Sequence, residues 1–310
     1  MSAPGRPKRE EDPMEAPAAP LVPVLAVVGI GLIGGSFAAA LRRAGQVGRV
    51  LGVGRRKASL DRALALGLID EAVDYAEAAR RADLILLATP VGAMRGALEA
   101  LRAGLRPQAL VTDAGSTKSD VVAIARAALG DRLHQFLPGH PIAGSEMTGP
   151  EAADPELYRG RKVVLTPLEE TPTRARDWLT RIWEACGARV LLMDAERHDR
   201  VLASISHVPH FLAAAYMAQV SREADADLRL SLAGTGFRDF TRIAAGSAEV
   251  WRDIFLSNRA AVLDELDAFS QVLAELRRTL ENDPDPRALE TFLEQAALAR
   301  RLWDGRSAMT

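Results

Sequence analysis

Two histidine-bearing runs and one arginine-bearing run hold the side chains of this 310-residue chain best suited to chemistry. The first, Gly139-His140-Pro141-Ile142-Ala143-Gly144-Ser145-Glu146, sets a histidine between glycine and proline, which reads as a loop. Imidazole titrates near neutrality, so His140 suits the general base that an alcohol oxidation needs. The second, Ile205-Ser206-His207-Val208-Pro209-His210, places polar groups at a proline break inside an apolar helical stretch, as a substrate pocket would. Two histidines three apart also raise the question of a metal. Pro209 lies between them and no cysteine or carboxylate stands at ligand spacing, so no metal is expected. The third run, Gly236-Phe237-Arg238-Asp239-Phe240-Thr241-Arg242-Ile243, offers two guanidinium groups, each able to grip a carboxylate bidentately. Arg238 reads as paired with Asp239, leaving Arg242 as the candidate.

Such groups need a frame, and the segment Val24–Val53 supplies its first part. The apolar run Val24–Val28 leads into Gly29-Ile30-Gly31-Leu32-Ile33-Gly34, then a small-residue helical pattern through Ala44, then the apolar run Val50–Val53. Strand, glycine turn, helix and strand are the context in which GxGxxG means dinucleotide binding. Gly29 permits the turn, Gly31 lets backbone approach a pyrophosphate, and Gly34 lets helix and strand pack closely. Two further runs end in polar residues where ligands of open α/β sheets gather. These are Leu84–Ala88 before Thr89-Pro90, and Ala109–Thr112 before Asp113-Ala114-Gly115-Ser116-Thr117-Lys118. Plain capping of a Ser119–Leu129 helix by Ser116 or Thr117 is the alternative there. The second strand ends in Gly54-Arg55-Arg56, with no acidic side chain for a ribose 2′-hydroxyl. Asp61, the nearest, falls in the next helix. Arginines at this place suit a 2′-phosphate, so the expected cofactor is NADP or NAD, with NADP preferred.

The period changes once along the chain. Up to Met193, apolar runs alternate with helical patterns, the last runs being Val163–Leu165 and Val190–Met193; after Asp194 only long helical patterns follow. The expected fold is therefore an α/β Rossmann-type, doubly wound parallel sheet domain over 24–193 and an all-α helical domain over 194–310. Residues 1–23, rich in Pro, Ala and charge, read as a disordered tail. Helices are expected over Ala195–Ser206, Phe211–Ser221, Glu249–Leu280 and Pro286–Leu302. Apolar residues make up 48% of the chain and charged residues 26%, which are ordinary globular values. A net charge of −2 leaves no footprint for nucleic acid. No apolar run approaches the ~20 residues of a bilayer span, so no membrane is expected. Cys186 is the sole cysteine, which excludes an intrachain disulfide and points to a reducing, cytoplasmic compartment.

Taken in order, VVGIGLIGGS (27–36), ATP (88–90), TDAGSTKS (112–119), GHPIAGSE (139–146), ISHVPH (205–210) and GFRDFTRIA (236–244) resemble one family closely: the prephenate/arogenate dehydrogenases of tyrosine biosynthesis. The resemblance implies oxidative decarboxylation of prephenate to 4-hydroxyphenylpyruvate with hydride transfer to NAD(P)+. It makes His140 the catalytic base and Ser116 its orienting partner. Arg242 would hold the ring carboxylate, while Ser145, Glu146, Ser206, His207 and His210 line the pocket. It also implies a homodimer through the helical domain. An arogenate-preferring or dual-specificity enzyme and a non-catalytic dinucleotide sensor are the alternatives. Intact His140, Ser116 and Arg242 argue against the sensor. A β-hydroxyacid dehydrogenase would share the fold class but rely on a lysine in its helical domain, and Lys162 is the last lysine here.

Overall fold

The structure, a computed structural model, describes residues 19–144, 147–282 and 287–309. Most of the expected tail, the Asn282–Pro286 break, and Ser145 and Glu146 thus lie wholly or largely outside the described residues. The chain forms two compact units. One comprises residues up to Thr89, Ala93–Gly115 and Ile124–Leu192; the other comprises Pro90–Gly92, Ser116–Ala123 and residues from Met193 onward.

In the first unit, runs rich in Val, Leu and Ile form parallel strands buried on both faces, as crossover helices require. Strands β1 (Val22–Val28), β2 (Val47–Val53), β3 (Glu71–Ala72), β4 (Leu84–Leu87), β5 (Leu110–Asp113) and β6 (Phe136–Leu137) lie in the order β3-β2-β1-β4-β5-β6. Every pairing is parallel, and the order turns back between β1 and β4, where such sheets bind nucleotides. Val22 is fully buried in β1, so this strand reaches into the stretch read as tail. Helix α1 (Leu32–Arg43) packs Phe37 on Trp183 of a later helix (Thr173–Ala185), ring centroids 4.5 Å apart, with Tyr158 edge-on to the same indole. The Tyr158 hydroxyl donates to the Ile33 carbonyl at 2.6 Å, pinning the first turn of α1.

Val163–Leu165 and Val190–Met193 do not extend the main sheet as expected. They belong to β8 (Lys162–Leu165) and β9 (Arg189–Leu192), which pair in parallel; β7 (Gly139–Pro141) joins β8 antiparallel. Only Pro138 separates β6 of the first sheet from β7 of the second.

The second unit is helical. Its first helices, Ala195–Leu202 and Val208–Ser221, are not separated at Pro209 as expected but run on through a π-turn at Ala203–His207. The wider turn accommodates the proline, which sits in the first turn of the following helix, where a missing N–H is tolerated. Together these 27 residues are long and apolar enough to cross a membrane by length and composition alone. The polar groups His198, Asp199 and His207 along them are instead buried within this unit. The expected Glu249–Leu280 helix is two helices, Ala248–Ser257 and Arg259–Asn282, parted at buried Asn258.

Candidate active site

The glycine turn between β1 and α1 is shaped for close approach. Gly29 has φ +95°, and a Cβ there would lie 2.5 Å from the Ala88 carbonyl oxygen. At Gly34 a Cβ would lie 2.3 Å from the Gly29 oxygen and 2.6 Å from Val27 Cγ1. Gly31 differs: a Cβ would meet nothing within 4 Å. Gly31 is the N-cap of α1 and brings no side chain to the free amides of Leu32, Ile33 and Gly34, which are left for an anion. Beside the turn, Thr89 Oγ1 is buried with no hydrogen-bond partner among the described residues. An open glycine position, an uncapped helix end and an orphan hydroxyl fit a dinucleotide. Two substitutions separate these roles. Gly34→Ala is expected to destabilise the fold by about 1–3 kcal/mol or more through overpacking. Gly31→Ala is expected to leave the melting temperature unchanged while weakening dinucleotide binding, as calorimetry and a fluorescence titration would show.

His140 is not on a loop. It is the central residue of β7, opposite Val164 of β8, and is 9% exposed. Three residues suffice because the preceding position is clamped: the buried Asp113 carboxylate accepts from Gly139 N at 3.0 Å and Gly115 N at 2.8 Å. A side chain at Gly139 would press on the Asp113 carbonyl, Leu165 and Thr112, at 3.1–3.3 Å. Asp113 thereby ties the end of β5 to the residue before the histidine.

In the helical unit a second carboxylate organises the polar groups. Asp199 accepts from Lys118 N at 2.8 Å, Ser119 N at 2.7 Å and His198 Nδ1 at 2.8 Å. Burial by itself raises the Asp199 pKa, but these donors outweigh it and hold the carboxyl below its ordinary value. Capping of the Ser119–Leu129 helix therefore falls to Asp199 rather than to Ser116 or Thr117. The Asp199 carbonyl accepts from Asn258 Nδ2, which also faces His207 Nδ1 at 3.1 Å. Trp251 stacks on His210 at 3.6 Å and meets His207 edge-on at 6.3 Å. Burial lowers the His210 pKa and the Arg242 charge lowers it further, against the Ser206 carbonyl. Arg242 is exposed, with no ion-pair partner among the described residues, and no Arg238–Asp239 pair forms there either.

Two family models match this chain. The nucleotide-binding domain of prephenate dehydrogenase matches residues 37–192, and the prephenate dehydrogenase dimerization domain matches 194–295. The cyclohexadienyl dehydrogenase of Zymomonas mobilis is 38% identical over 276 residues, covering 87% of this chain and 92% of its own. The chain belongs to the prephenate dehydrogenase family. The Bacillus subtilis prephenate dehydrogenase is 36% identical, covering 83% of this chain and 70% of its own. Among solved structures, the Aquifex aeolicus prephenate dehydrogenase in complex with hydroxyphenyl propionate and NAD+ matches with TM-score 0.84 and 35% identity, covering 90% of this chain and 97% of that one.

Set against the family resemblance, the named residues divide between the units. Gly29, Ile30, Gly31, Leu32, Ile33, Gly34, Arg55, Arg56, Thr89 and His140 lie in the first; Pro90, Ser116, Ser206, His207, His210 and Arg242 lie in the second. Ser145 and Glu146 fall outside the described residues. The sequence alone did not single out Asp113 in the first unit, or Asp199, Asn258 and Trp251 in the second, as supports for the named residues. Only Trp251, one of four tryptophans, set in an otherwise amphipathic helix, carried a visible signal.

Proposed function

We propose that the chain catalyses the oxidative decarboxylation of prephenate to 4-hydroxyphenylpyruvate. The observation that carries this reading is the family match across both units, together with a buried His140 held by the Asp113 clamp. Bound nicotinamide supplies the hydride acceptor. His140 takes the hydroxyl proton as the substrate carbon is oxidised; the orienting role of Ser116 rests on the family resemblance. Arg242 grips the ring carboxylate until it departs as CO2, and His207, His210 and Ser206 line the rest of the substrate. The glycine turn and Thr89 hold the dinucleotide. Arogenate is the competing substrate, a reading favoured by the likeness to a cyclohexadienyl dehydrogenase. Following nicotinamide reduction with each substrate tests it: turnover of neither overturns the proposal. The enzyme would work in the cytoplasm as a homodimer, covering the exposed Leu263, Phe269, Leu273 and Leu280 of the helix Arg259–Asn282.

The preferred cofactor is NADP. Arg55 and Arg56 are exposed at the end of β2 and carry no ion pair among the described residues, whereas Asp61 is engaged by Lys57 at 2.7 Å. Two unneutralised guanidinium groups favour a 2′-phosphate over a hydroxyl. Wild-type kcat/KM is expected to be higher with NADP than with NAD. Arg55→Ala should weaken NADP far more than NAD, with the penalty shrinking at high salt. A wild-type preference for NAD would sink the assignment.

A further inference from the structure

Two histidines of the helical unit are held by opposite kinds of partner. His210 Nδ1 lies 2.9 Å from the Ser206 carbonyl oxygen, which only accepts, so Nδ1 carries the proton and Nε2 presents a lone pair. His207 is the reverse. Asn258 Nδ2 stands 2.8 Å from the Asp199 carbonyl oxygen, and that acceptor sets which end of the side-chain amide faces it. The same NH2 donates to His207 Nδ1 at 3.1 Å. Nδ1 is therefore the bare nitrogen, and the proton of a neutral His207 sits on Nε2. That Nε2 is buried and has no hydrogen-bond partner among the described residues. Native interiors seldom leave an N–H in that condition unless something else is meant to accept from it.

We infer that Asn258 is a positioning residue that fixes His207 as an Nε2–H donor to a substrate oxygen, while the Ser206 carbonyl fixes His210 in the opposite tautomer. The inference rests on the substrate site proposed above and deepens it. One ring then selects an oxygen, from a carboxylate or a ketone, and the other accepts from an O–H or N–H group. Burial keeps His207 neutral, pushing its pKa down to about 4; Asp199 opposes this, and His198 and His210 reinforce it. Trp251 limits how far either ring can turn, by stacking on one and meeting the edge of the other.

The test is the tautomer itself. With only five histidines in the chain, ring nitrogens of 15N-histidine-labelled full-length protein can be read by long-range proton–nitrogen correlation, His207 being assigned by its loss in His207→Gln. The expected pattern is a bare Nδ1 and a protonated Nε2 for His207; a protonated Nδ1 overturns the inference whatever the enzyme's substrate. Asn258→Asp puts an acceptor where the donor stood. It is expected to move the proton to Nδ1 and to raise KM for the cyclohexadienyl substrate about tenfold more than it lowers kcat, the scale of one lost hydrogen bond. An unchanged tautomer and KM in a folded Asn258→Asp protein overturns the role. Should that variant fail to fold, the wild-type spectrum decides alone. Absence of turnover with both prephenate and arogenate would remove the proposed reaction but leave the spectrum to judge the tautomer.

Discussion

Replacing His140 with Asn is expected to lower kcat by about 10²–10⁴-fold, the usual share of a positioned general base, while dinucleotide affinity and melting temperature hold. The expectation of an intact fold has a structural basis. The strand that carries His140 is fixed by main-chain pairing with β8 and by the Asp113 carboxylate on Gly139, neither of which involves the imidazole. The acid limb of the wild-type pH–rate profile should vanish in the variant, because the group whose protonation stops turnover is gone. Near wild-type turnover in the Asn protein would show that another base does the work. Asp113→Asn serves as a partner experiment: one amide acceptor is lost at Gly139 or Gly115, so the histidine's placement suffers along with stability.

Arg242→Ala should raise KM for prephenate roughly 10- to 150-fold, equivalent to a charge-assisted hydrogen bond of about 1.5–3 kcal/mol. Arg242 has no ion-pair partner among the described residues, so its charge is available to a substrate anion, and it already acts on His210 electrostatically. Arg238→Ala should do much less. Initial-rate kinetics over a wide prephenate range would distinguish the two, and equal effects would mean that the wrong arginine has been chosen. Removing the Arg242 charge also takes away one of the influences that hold the His210 pKa down, so that ring should become easier to protonate.

What the sequence disclosed and what it hid follow from the range of the interactions involved. The glycine turn was readable because its geometry is local: six consecutive residues decide it, and Gly29 and Gly34 are required by contacts with neighbouring strands. The alternation of apolar runs and helices announced the parallel sheet for the same reason. His140 was misplaced on a loop because its strand is only three residues long and exists through pairing with Val163–Leu165, more than twenty positions away. Pro209 looked like a break because the sequence does not announce a π-turn. Asn258 interrupts a helix without glycine or proline, and its hydrogen-bond partner lies 51 positions earlier, beyond the reach of any local pattern. Asp113 and Asp199 were plain acidic residues until the amides they hold came into view.

The Asp199 contacts also decide how this chain can be divided. Its two most tightly held amides come from Lys118 and Ser119, in a segment that belongs to the helical unit although it lies some eighty residues earlier in the chain. An excised C-terminal portion, cut at the tidy-looking boundary near Met193, would keep the carboxylate and leave behind two of the donors that make its burial tolerable. The helical unit is therefore discontinuous in the sequence, and any attempt to swap, truncate or separately express it has to carry the Ser116–Ala123 stretch along with it.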